Sequence, residues 1–421
     1  MSRVRVERSE LKGRVRAPPS KSYTHRALFV SALAEGRSKI LNPLISLDTL
    51  ATINALRALG VEVSEGDGLA VESQGFSIPE DVIDVKNSGT TLRILTSLSS
   101  LTPGGYCVIT GDESVRRRPM QPLLDALRSL GVWCASSRGN GLAPVIVKGG
   151  GMDGGEAEIP GWISSQFITS LLTSGLKARH GLRLRVKRPL VSKPYVDSTL
   201  SVIRAFGGEV LERGWGYEVP KGVELKATRF KIPGDFSSAS FLMVAGAMLG
   251  EVEVLGLRSE LPQADERVVE ILRTLGVDVE EVGDGFRVRR SKIGKGVIDL
   301  SDSPDLLPAL APLGLLSDGI EFRRVWHARL KESDRISALA EGFRALGAKV
   351  EEFEDGLRIS KGKLRPAVLD PRGDHRLFMS FFIAGMLVGG VEVKGSECVA
   401  VSYPEFLRDM RALGGVMEVV E

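Results

Sequence analysis

Cysteine and histidine are scarce in this sequence, which has three cysteines and four histidines among 421 residues. Cys107, Cys134 and Cys398 lie far apart and form no CxxC pair. Zinc sites need several such ligands at short spacings, so the pattern argues against a zinc site and is typical of a protein from a reducing compartment. We therefore expect no metal and a cytoplasmic location.

Long apolar runs and a strong net charge are absent as well. The longest apolar runs, residues 239–250 and 378–390, are too short to span a bilayer, and the first residues resemble a strand rather than a signal peptide. The net charge of +3 is too small for a nucleic-acid footprint. We therefore expect neither a membrane nor a nucleic acid as a partner.

Several common catalytic signatures are also missing. The sequence contains no GxxxxGK[ST], no HExxH and no GxSxG, which excludes the usual nucleotide P-loop, zinc-protease and serine-hydrolase motifs. What remains is chemistry in which anions are positioned and protons are transferred, without a metal or a cofactor.

A helical pattern that ends in glycine recurs six times along the chain. The glycines are 71, 76, 69, 71 and 67 residues apart: Gly60, Gly131, Gly207, Gly276, Gly347 and Gly414. Each unit also has a uniformly apolar helix, which must be buried, followed by a glycine and an alternating strand. We predict an α/β fold of two similar domains with three repeats each, with buried helices and outward-facing sheets.

Polar clusters open each of the six apolar helices. They are Ser20-Lys21-Ser22 with Arg26, Asn87-Ser88-Gly89-Thr90-Thr91 with Arg93, Ser164-Ser165-Gln166, Asp235-Phe236-Ser237-Ser238, Asp302-Ser303-Pro304-Asp305 and Asp374-His375-Arg376. Helix N-termini attract anions through their unpaired N–H groups and their dipoles. We expect these N-termini to converge on one cleft between the domains that binds a small, multiply anionic substrate. The alternative is six unrelated capping boxes.

Three further clusters could take part in chemistry. Lys331 and Arg335 would share one face if this segment is helical, with Glu332 beside Lys331 to tune an acid or a base. Arg118 ends a triple arginine and could bind a carboxylate or phosphate through two hydrogen bonds. Asp305 could serve as a general base among cations. The simpler readings are a solvated charged turn and a basic surface loop.

These motifs, in this order, resemble the 5-enolpyruvylshikimate-3-phosphate (EPSP) synthase family over all 421 residues. The residues that carry the resemblance are Pro19-Ser20-Lys21-Ser22 with Arg26, Asn87 to Arg93, Arg118-Pro119, Ser164-Ser165-Gln166-Phe167, Val191-Ser192-Lys193-Pro194-Tyr195, Pro304-Asp305, Lys331 to Arg335 and Asp374-His375-Arg376. The resemblance implies two domains of three βαβαββ units each, one spanning residues 20–235 and a discontinuous one spanning residues 1–19 and 236–421. It also implies a monomer without a cofactor.

The resemblance further implies that the enolpyruvyl group of phosphoenolpyruvate is transferred to the 5-hydroxyl of shikimate 3-phosphate, with release of phosphate. Asp305, Lys331, Glu332 and Lys21 would be catalytic. Shikimate 3-phosphate would be held by Ser22, Arg26, Ser164, Ser165, Gln166, Ser192 and Tyr195, and phosphoenolpyruvate by Lys21, Gly89, Arg118, Arg335 and Arg376. Further substrate-binding positions would be Asn87, Thr90, Arg93, His327, Asp374 and His375.

Two positions depart from the family pattern. Val401 stands where the family often has a lysine that binds phosphoenolpyruvate, and His327 stands where an asparagine is common. The family's enzymes can also bind glyphosate in place of phosphoenolpyruvate, and Gly89 favours sensitivity to it. The alternatives are a UDP-N-acetylglucosamine enolpyruvyl transferase, whose cysteine before the Arg-Pro pair is absent here, and an RNA-directed module, which the missing aromatic platforms argue against.

Overall fold

The computed structural model describes residues 2–420, which divide into two compact units. The continuous unit comprises residues 19–232, and the discontinuous unit comprises residues 2–18 and 233–420. The boundaries expected from the sequence lay after residues 19 and 235. Among residues 2–420, no helix combines the length and the apolar character that crossing a bilayer requires.

Short strands and helices alternate along the described chain. The strands are β1 (Arg3–Val6), β2 (Leu11–Arg16), β3 (Ser38–Leu41), β4 (Glu62–Gly66), β5 (Gly68–Glu72), β6 (Ile83–Asp84), β7 (Tyr106–Thr110), β8 (Cys134–Ser136), β9 (Val145–Lys148), β10 (Gly155–Pro160), β11 (Leu182–Lys187), β12 (Leu211–Arg213), β13 (Gly216–Val219), β14 (Arg229–Lys231), β15 (Gly250–Leu255), β16 (Asp278–Val282), β17 (Gly285–Arg289), β18 (Gly296–Asp299), β19 (Ile320–Arg323), β20 (Lys349–Phe353), β21 (Gly356–Ser360), β22 (Val368–Leu369), β23 (Val391–Lys394) and β24 (Met417–Val420).

The α-helices are α1 (Lys21–Ser31), α2 (Leu47–Ala58), α3 (Gly89–Leu98), α4 (Glu113–Arg116), α5 (Gln121–Ser129), α6 (Ser165–Gly175), α7 (Lys193–Ala205), α8 (Phe236–Leu249), α9 (Val268–Thr274), α10 (Leu306–Leu310), α11 (Arg335–Ala345), α12 (His375–Val388) and α13 (Phe406–Ala412). Short 3₁₀ segments connect them at Ser99–Leu101, Ala264–Arg267, Ala311–Leu315, Trp326–Leu330 and Ser396–Val401.

Six four-stranded sheets within residues 2–420 share one topology. The strand orders are β14-β3-β5-β4, β6-β7-β9-β8 and β10-β11-β13-β12 in the continuous unit, and β2-β15-β17-β16, β18-β19-β21-β20 and β22-β23-β1-β24 in the discontinuous unit. In every sheet the first pair is parallel and the other two are antiparallel. The predicted α/β class with three repeats in each half is confirmed.

Strand alternation explains why the sheets lie on the outside. Along β11, Leu182, Leu184 and Val186 are buried while the basic residues between them are exposed. Side chains two residues apart share one face of a strand, so one face of the sheet packs on the core and the other is solvated.

Each unit is built around three apolar helices that pack on one another. These are α1, α3 and α6 in the continuous unit and α8, α10 and α12 in the discontinuous unit. Every residue of α8 is buried, as expected for a helix that is apolar on all sides. The six glycines of the repeat all have φ between +81° and +106°, the left-handed conformation that ends a helix and that glycine adopts without strain.

One local prediction was wrong. Lys331 and Arg335 do not share a helical face, because a 3₁₀ segment ends at Leu330 and α11 begins only at Arg335. Asp334 caps this helix by accepting a hydrogen bond from Ser337 N at 3.1 Å. The intervening residues form a bend, and Lys331 at its start extends to Asp305, as described below.

Candidate active site

The N-terminus of α1 presents a lysine that is held by a buried carboxylate. Ser20 caps the helix by accepting a hydrogen bond from Tyr23 N. Lys21, the next residue, donates from Nζ to Asp48 Oδ2 at 2.8 Å, and its side chain remains 16% exposed. A lysine at the positive end of a helix dipole, fixed but still accessible, is suited to bind an anionic ligand.

Arg26 lies one turn further along α1 and is buried, and no carboxylate among residues 2–420 forms an ion pair with it. Its guanidinium donates to Thr199 Oγ1 at 2.8 Å, to Ser22 Oγ at 2.6 Å and to the carbonyl of Tyr195 at 2.9 Å, all of them neutral oxygens. Burial lowers the pKa of Arg26 to about 10, which still leaves it charged at neutral pH. A buried cation bound only to neutral groups favours an incoming anion.

At the N-terminus of α3, Arg118 lies against Gly89. Arg118 is 5% exposed and its Nη2 donates to Ser114 Oγ at 3.0 Å. Ser88 caps α3, and the side chain of Asn87 donates to Asp112 Oδ2 at 2.7 Å. A buried cation therefore also lies next to the first turn of α3.

A chain of side chains joins α3 to the N-terminus of α6. Arg93 Nη1 donates to Gln166 Oε1 at 2.6 Å and to Ser164 Oγ at 3.3 Å, and Gln166 Nε2 donates to Thr90 Oγ1 at 3.0 Å. The Arg93 guanidinium also lies 5.1 Å from the centre of the Phe167 ring. Arg93 therefore positions two of the residues that the resemblance assigns to the substrate.

Three more of the expected residues lie at the starts of α6 and α7. Ser165 is the first residue of α6 and is buried. Ser192 precedes α7 in the left-handed conformation with φ of +57°, which is uncommon for serine. Tyr195 lies in the first turn of α7, and its carbonyl accepts the hydrogen bond from Arg26.

In the discontinuous unit, Arg335 lies at the centre of an ionic cluster. Its guanidinium donates to Asp374 Oδ2 and Asp305 Oδ1, both at 2.8 Å, and to Glu332 Oε2 at 2.6 Å. The side chain is 1% exposed, so these charges attract each other in a weakly polarisable environment. The pKa of Arg335 is lowered by burial but raised overall by Asp374, Glu332 and Asp305.

Asp305 receives two more cations. Lys331 Nζ lies 3.6 Å from its Oδ1, and Arg376 Nη2 lies 3.4 Å from its Oδ2. Burial by itself would raise the pKa of Asp305, but the positive charges of Arg376, Lys331 and Arg335 outweigh it and hold the pKa well below its usual range. The structure thus surrounds this carboxylate with the three cations that the sequence placed nearby.

The remaining expected residues lie around this cluster. Asp374 is fully buried and caps α12, where it accepts a hydrogen bond from Arg376 N at 2.9 Å; His375 is the first residue of that helix. His327 lies in the 3₁₀ segment Trp326–Leu330, is 3% exposed, and has no hydrogen-bond partner on either ring nitrogen within residues 2–420. Burial, together with the charge of Lys331, lowers the pKa of His327 to about 3, so the ring is neutral.

Sequence reasoning missed two buried carboxyl groups, Asp48 and Asp265. Asp48 lies in the first turn of α2, where an acidic residue is common for helix stability alone. Asp265 is 3% exposed, and burial and the charge of Asp305 raise its pKa to about 6, although Arg376 acts in the opposite direction. Neither position belongs to a motif, so only their contacts reveal them.

Comparisons with known proteins show the family to which the chain belongs. The family model for EPSP synthase (3-phosphoshikimate 1-carboxyvinyltransferase) matches residues 6–410. Relatives named 3-phosphoshikimate 1-carboxyvinyltransferase include one from Korarchaeum cryptofilum, 44% identical over 421 residues with 98% of both chains covered. Another, from Methanothermobacter thermautotrophicus, is 44% identical over 415 residues and covers 97% of this chain and 98% of its own length.

Solved structures match over the whole chain. EPSP synthase from Acinetobacter baumannii has a TM-score of 0.83 at 27% identity and covers 100% of both chains. The enolpyruvyl transferase NikO from Streptomyces tendae has a TM-score of 0.77 at 18% identity, over 100% of this chain and 98% of its own, which shows a shared fold. The fold is thus that of the enolpyruvyl transferases. Within that class, the chain belongs to the EPSP synthase family.

Proposed function

We propose that the protein transfers the enolpyruvyl group of phosphoenolpyruvate to the 5-hydroxyl of shikimate 3-phosphate and releases phosphate. The observation that carries the proposal is the environment of Asp305, a carboxylate that is 17% exposed and is surrounded by Lys331, Arg335 and Arg376. The reaction needs an acid, a base and several cations to hold two anionic substrates, and this cluster contains all three kinds of group.

Further groups suited to bind the substrates lie in the continuous unit. In the continuous unit, the buried guanidinium of Arg26 favours a substrate carboxylate, and the hydroxyls of Ser164, Ser165 and Ser192 would bind the phosphate of shikimate 3-phosphate. Lys21 and Arg118 would bind phosphoenolpyruvate at the first turns of α1 and α3, where helix dipoles also favour anions.

Asp305 accepts the proton of the attacking hydroxyl in this proposal. Three cations make it a weak base in the free protein, because they stabilise the carboxylate. When anionic substrates bind Lys331, Arg335 and Arg376, the substrates share those positive charges and the pKa of Asp305 rises. The base would therefore become effective only after the substrates have bound.

The two chemical steps balance without any further reactant. The 5-hydroxyl oxygen bonds to the central carbon of phosphoenolpyruvate, Asp305 takes the hydroxyl proton, and an acid protonates the methylene carbon to a methyl group. Lys331, with Glu332 nearby, would be that acid. The reverse proton transfer from the methyl group then expels phosphate and restores the double bond.

A phosphate-release assay tests the proposal directly. We expect phosphate release that requires both phosphoenolpyruvate and shikimate 3-phosphate, and none when UDP-N-acetylglucosamine replaces shikimate 3-phosphate. Phosphate release with phosphoenolpyruvate and UDP-N-acetylglucosamine, but not with shikimate 3-phosphate, would instead indicate a UDP-N-acetylglucosamine enolpyruvyl transferase. We also propose that glyphosate inhibits in competition with phosphoenolpyruvate, since both would bind the same cations.

A further inference from the structure

Asp48 is a buried carboxylate that pairs with the ammonium group of Lys21. It is 4% exposed, and its Oδ2 accepts the hydrogen bond from Lys21 Nζ at 2.8 Å. Its other oxygen, Oδ1, is buried and has no hydrogen-bond partner in the described part of the chain. A carboxylate this deeply buried costs stability unless a cation compensates it, so Lys21 and Asp48 depend on each other.

We propose that Asp48 is a positioning residue, which holds the ammonium group of Lys21 at the N-terminus of α1 for binding phosphoenolpyruvate. The inference rests on the proposed function, in which Lys21 is one of the cations for that substrate. Asp48 itself need not touch the substrate, because its contact is with Lys21.

The neighbouring His25 does not compete with Lys21 for the carboxylate of Asp48. His25 Nε2 lies 4.0 Å from Asp48 Oδ2, too far for a hydrogen bond. Burial and the charges of Lys21 and Arg26 hold the pKa of His25 well below its usual range, so its ring is neutral. Lys21 is therefore the positive partner of the carboxylate at this place.

A chain of hydrogen bonds fixes the helix that carries Asp48. His25 Nδ1 lies 2.7 Å from Thr52 Oγ1, Thr52 lies 2.7 Å from Thr91 Oγ1, and Thr91 lies 2.7 Å from Ser88 Oγ, the cap of α3. Asp48 and Thr52 are four residues apart on α2 and so share one of its faces. This face of α2 supports the N-termini of both α1 and α3, and the position of Asp48 is set by both.

The test replaces Asp48 by asparagine, which keeps the shape and removes the charge. In Asp48→Asn we expect the KM for phosphoenolpyruvate to rise about tenfold, with a smaller change in kcat and in the KM for shikimate 3-phosphate. Asp48→Glu, which keeps the charge, should restore part of the loss. Asp125→Asn is the matched control, because Asp125 pairs with Arg128 on the exposed face of α5.

A double-mutant cycle with Lys21→Gln separates positioning from a general structural role. If Asp48 acts through Lys21, Asp48→Asn lowers kcat/KM no further once Lys21 is gone. Additive losses, or a KM for phosphoenolpyruvate that stays at the wild-type value in Asp48→Asn, would overturn the inference. Should Asp48→Asn fail to fold, Asp48→Ser, which also removes the charge, takes its place, and a wild-type KM for phosphoenolpyruvate in that variant overturns the inference in the same way. A wild-type protein without the proposed activity contradicts the proposed function instead.

Discussion

The guanidinium of Arg118 occupies the space that a side chain on residue 89 would need. A Cβ atom built on Gly89 would approach Arg118 Nη1 more closely than real Cβ atoms approach any neighbour. Gly89 has an ordinary helical conformation, so the glycine is explained by this close approach and not by its φ. The position of the Arg118 guanidinium therefore depends on the absence of a side chain at Gly89.

Gly89→Ala should displace Arg118 and thereby weaken the binding of phosphoenolpyruvate. Losing one charge-assisted contact costs about 1.5–3 kcal/mol, so we expect the KM for phosphoenolpyruvate and the inhibition constant of glyphosate to rise roughly tenfold or more. Steady-state kinetics measures both. Gly66→Ala is the control, because a Cβ there meets nothing within 4 Å. An unchanged inhibition constant would show that this helix N-terminus does not bind the inhibitor.

Asp305→Ala should abolish most of the turnover while both substrates still bind. A general base contributes roughly 10²–10⁴-fold to kcat, and removing a carboxylate from among three cations does not weaken the attraction for anions. Because those cations hold the pKa of Asp305 well below its usual range, it should stay ionised in the free protein from pH 5 to 9. A variant that turns over at nearly the wild-type rate would mean that another group is the base.

Asp265 should make the stability of the protein depend on pH. Its pKa is about 6 in the folded protein, against an ordinary value of 3.8, so between these values the folded state keeps a proton that the unfolded chain releases. Folding then requires the uptake of a proton, so the fold loses stability as pH rises from about 4 to 6, by a few kcal/mol at most. Thermal unfolding should show that Asp265→Asn gains more relative to wild type at pH 8 than at pH 4.5; equal differences would contradict this.

His327 has two buried ring nitrogens that no described residue satisfies, which costs stability unless a ligand completes them. We expect His327→Ala to raise the KM for shikimate 3-phosphate about tenfold with little change in that for phosphoenolpyruvate. His327→Asn keeps a donor of similar reach and should retain most of the affinity. An unchanged KM for shikimate 3-phosphate in His327→Ala would show that the ring does not bind the substrate.

Val401 ends the 3₁₀ segment Ser396–Val401, which packs against α12. Val401→Lys would supply a cation at a position where the family often has one. We expect this variant to bind phosphoenolpyruvate and glyphosate more tightly, by roughly tenfold for a charge-assisted contact. Val401→Met controls for the added length without charge. An unchanged KM and inhibition constant in the lysine variant would place its ammonium group outside the binding site.

The parts of the fold that are local in sequence could be predicted. The six glycine-ended helices follow from a periodic pattern and from the one conformation that glycine alone adopts easily, as at Gly60 and Gly276. The buried helices follow from the absence of any polar face, as in α8. The bend at Lys331 could not be predicted, because a run of charged residues has the same pattern in a helix and in a turn.

The site could be predicted only where it coincides with helix starts and with the family's motifs. The approach of Arg118 to Gly89, the three cations around Asp305 and the orientation of Arg93 toward Gln166 depend on packing between distant segments. Asp48 and Asp265 lie in the first turns of helical segments, where an acidic residue is usually solvated. Their burial depends on which helix faces them, and a single sequence does not contain that information.

Strand β1 pairs with β23 on one side and with β24 on the other, so an interior strand of the chain's last sheet comes from its beginning. During synthesis, residues 3–6 cannot pair with β24 until residues 417–420 have emerged from the ribosome, so this sheet forms last. The continuous unit has no such dependence, because all its strands lie between residues 38 and 231. It can therefore complete its sheets before the rest of the chain has been made, while the sheet that contains β1 closes only once residues 417–420 are available.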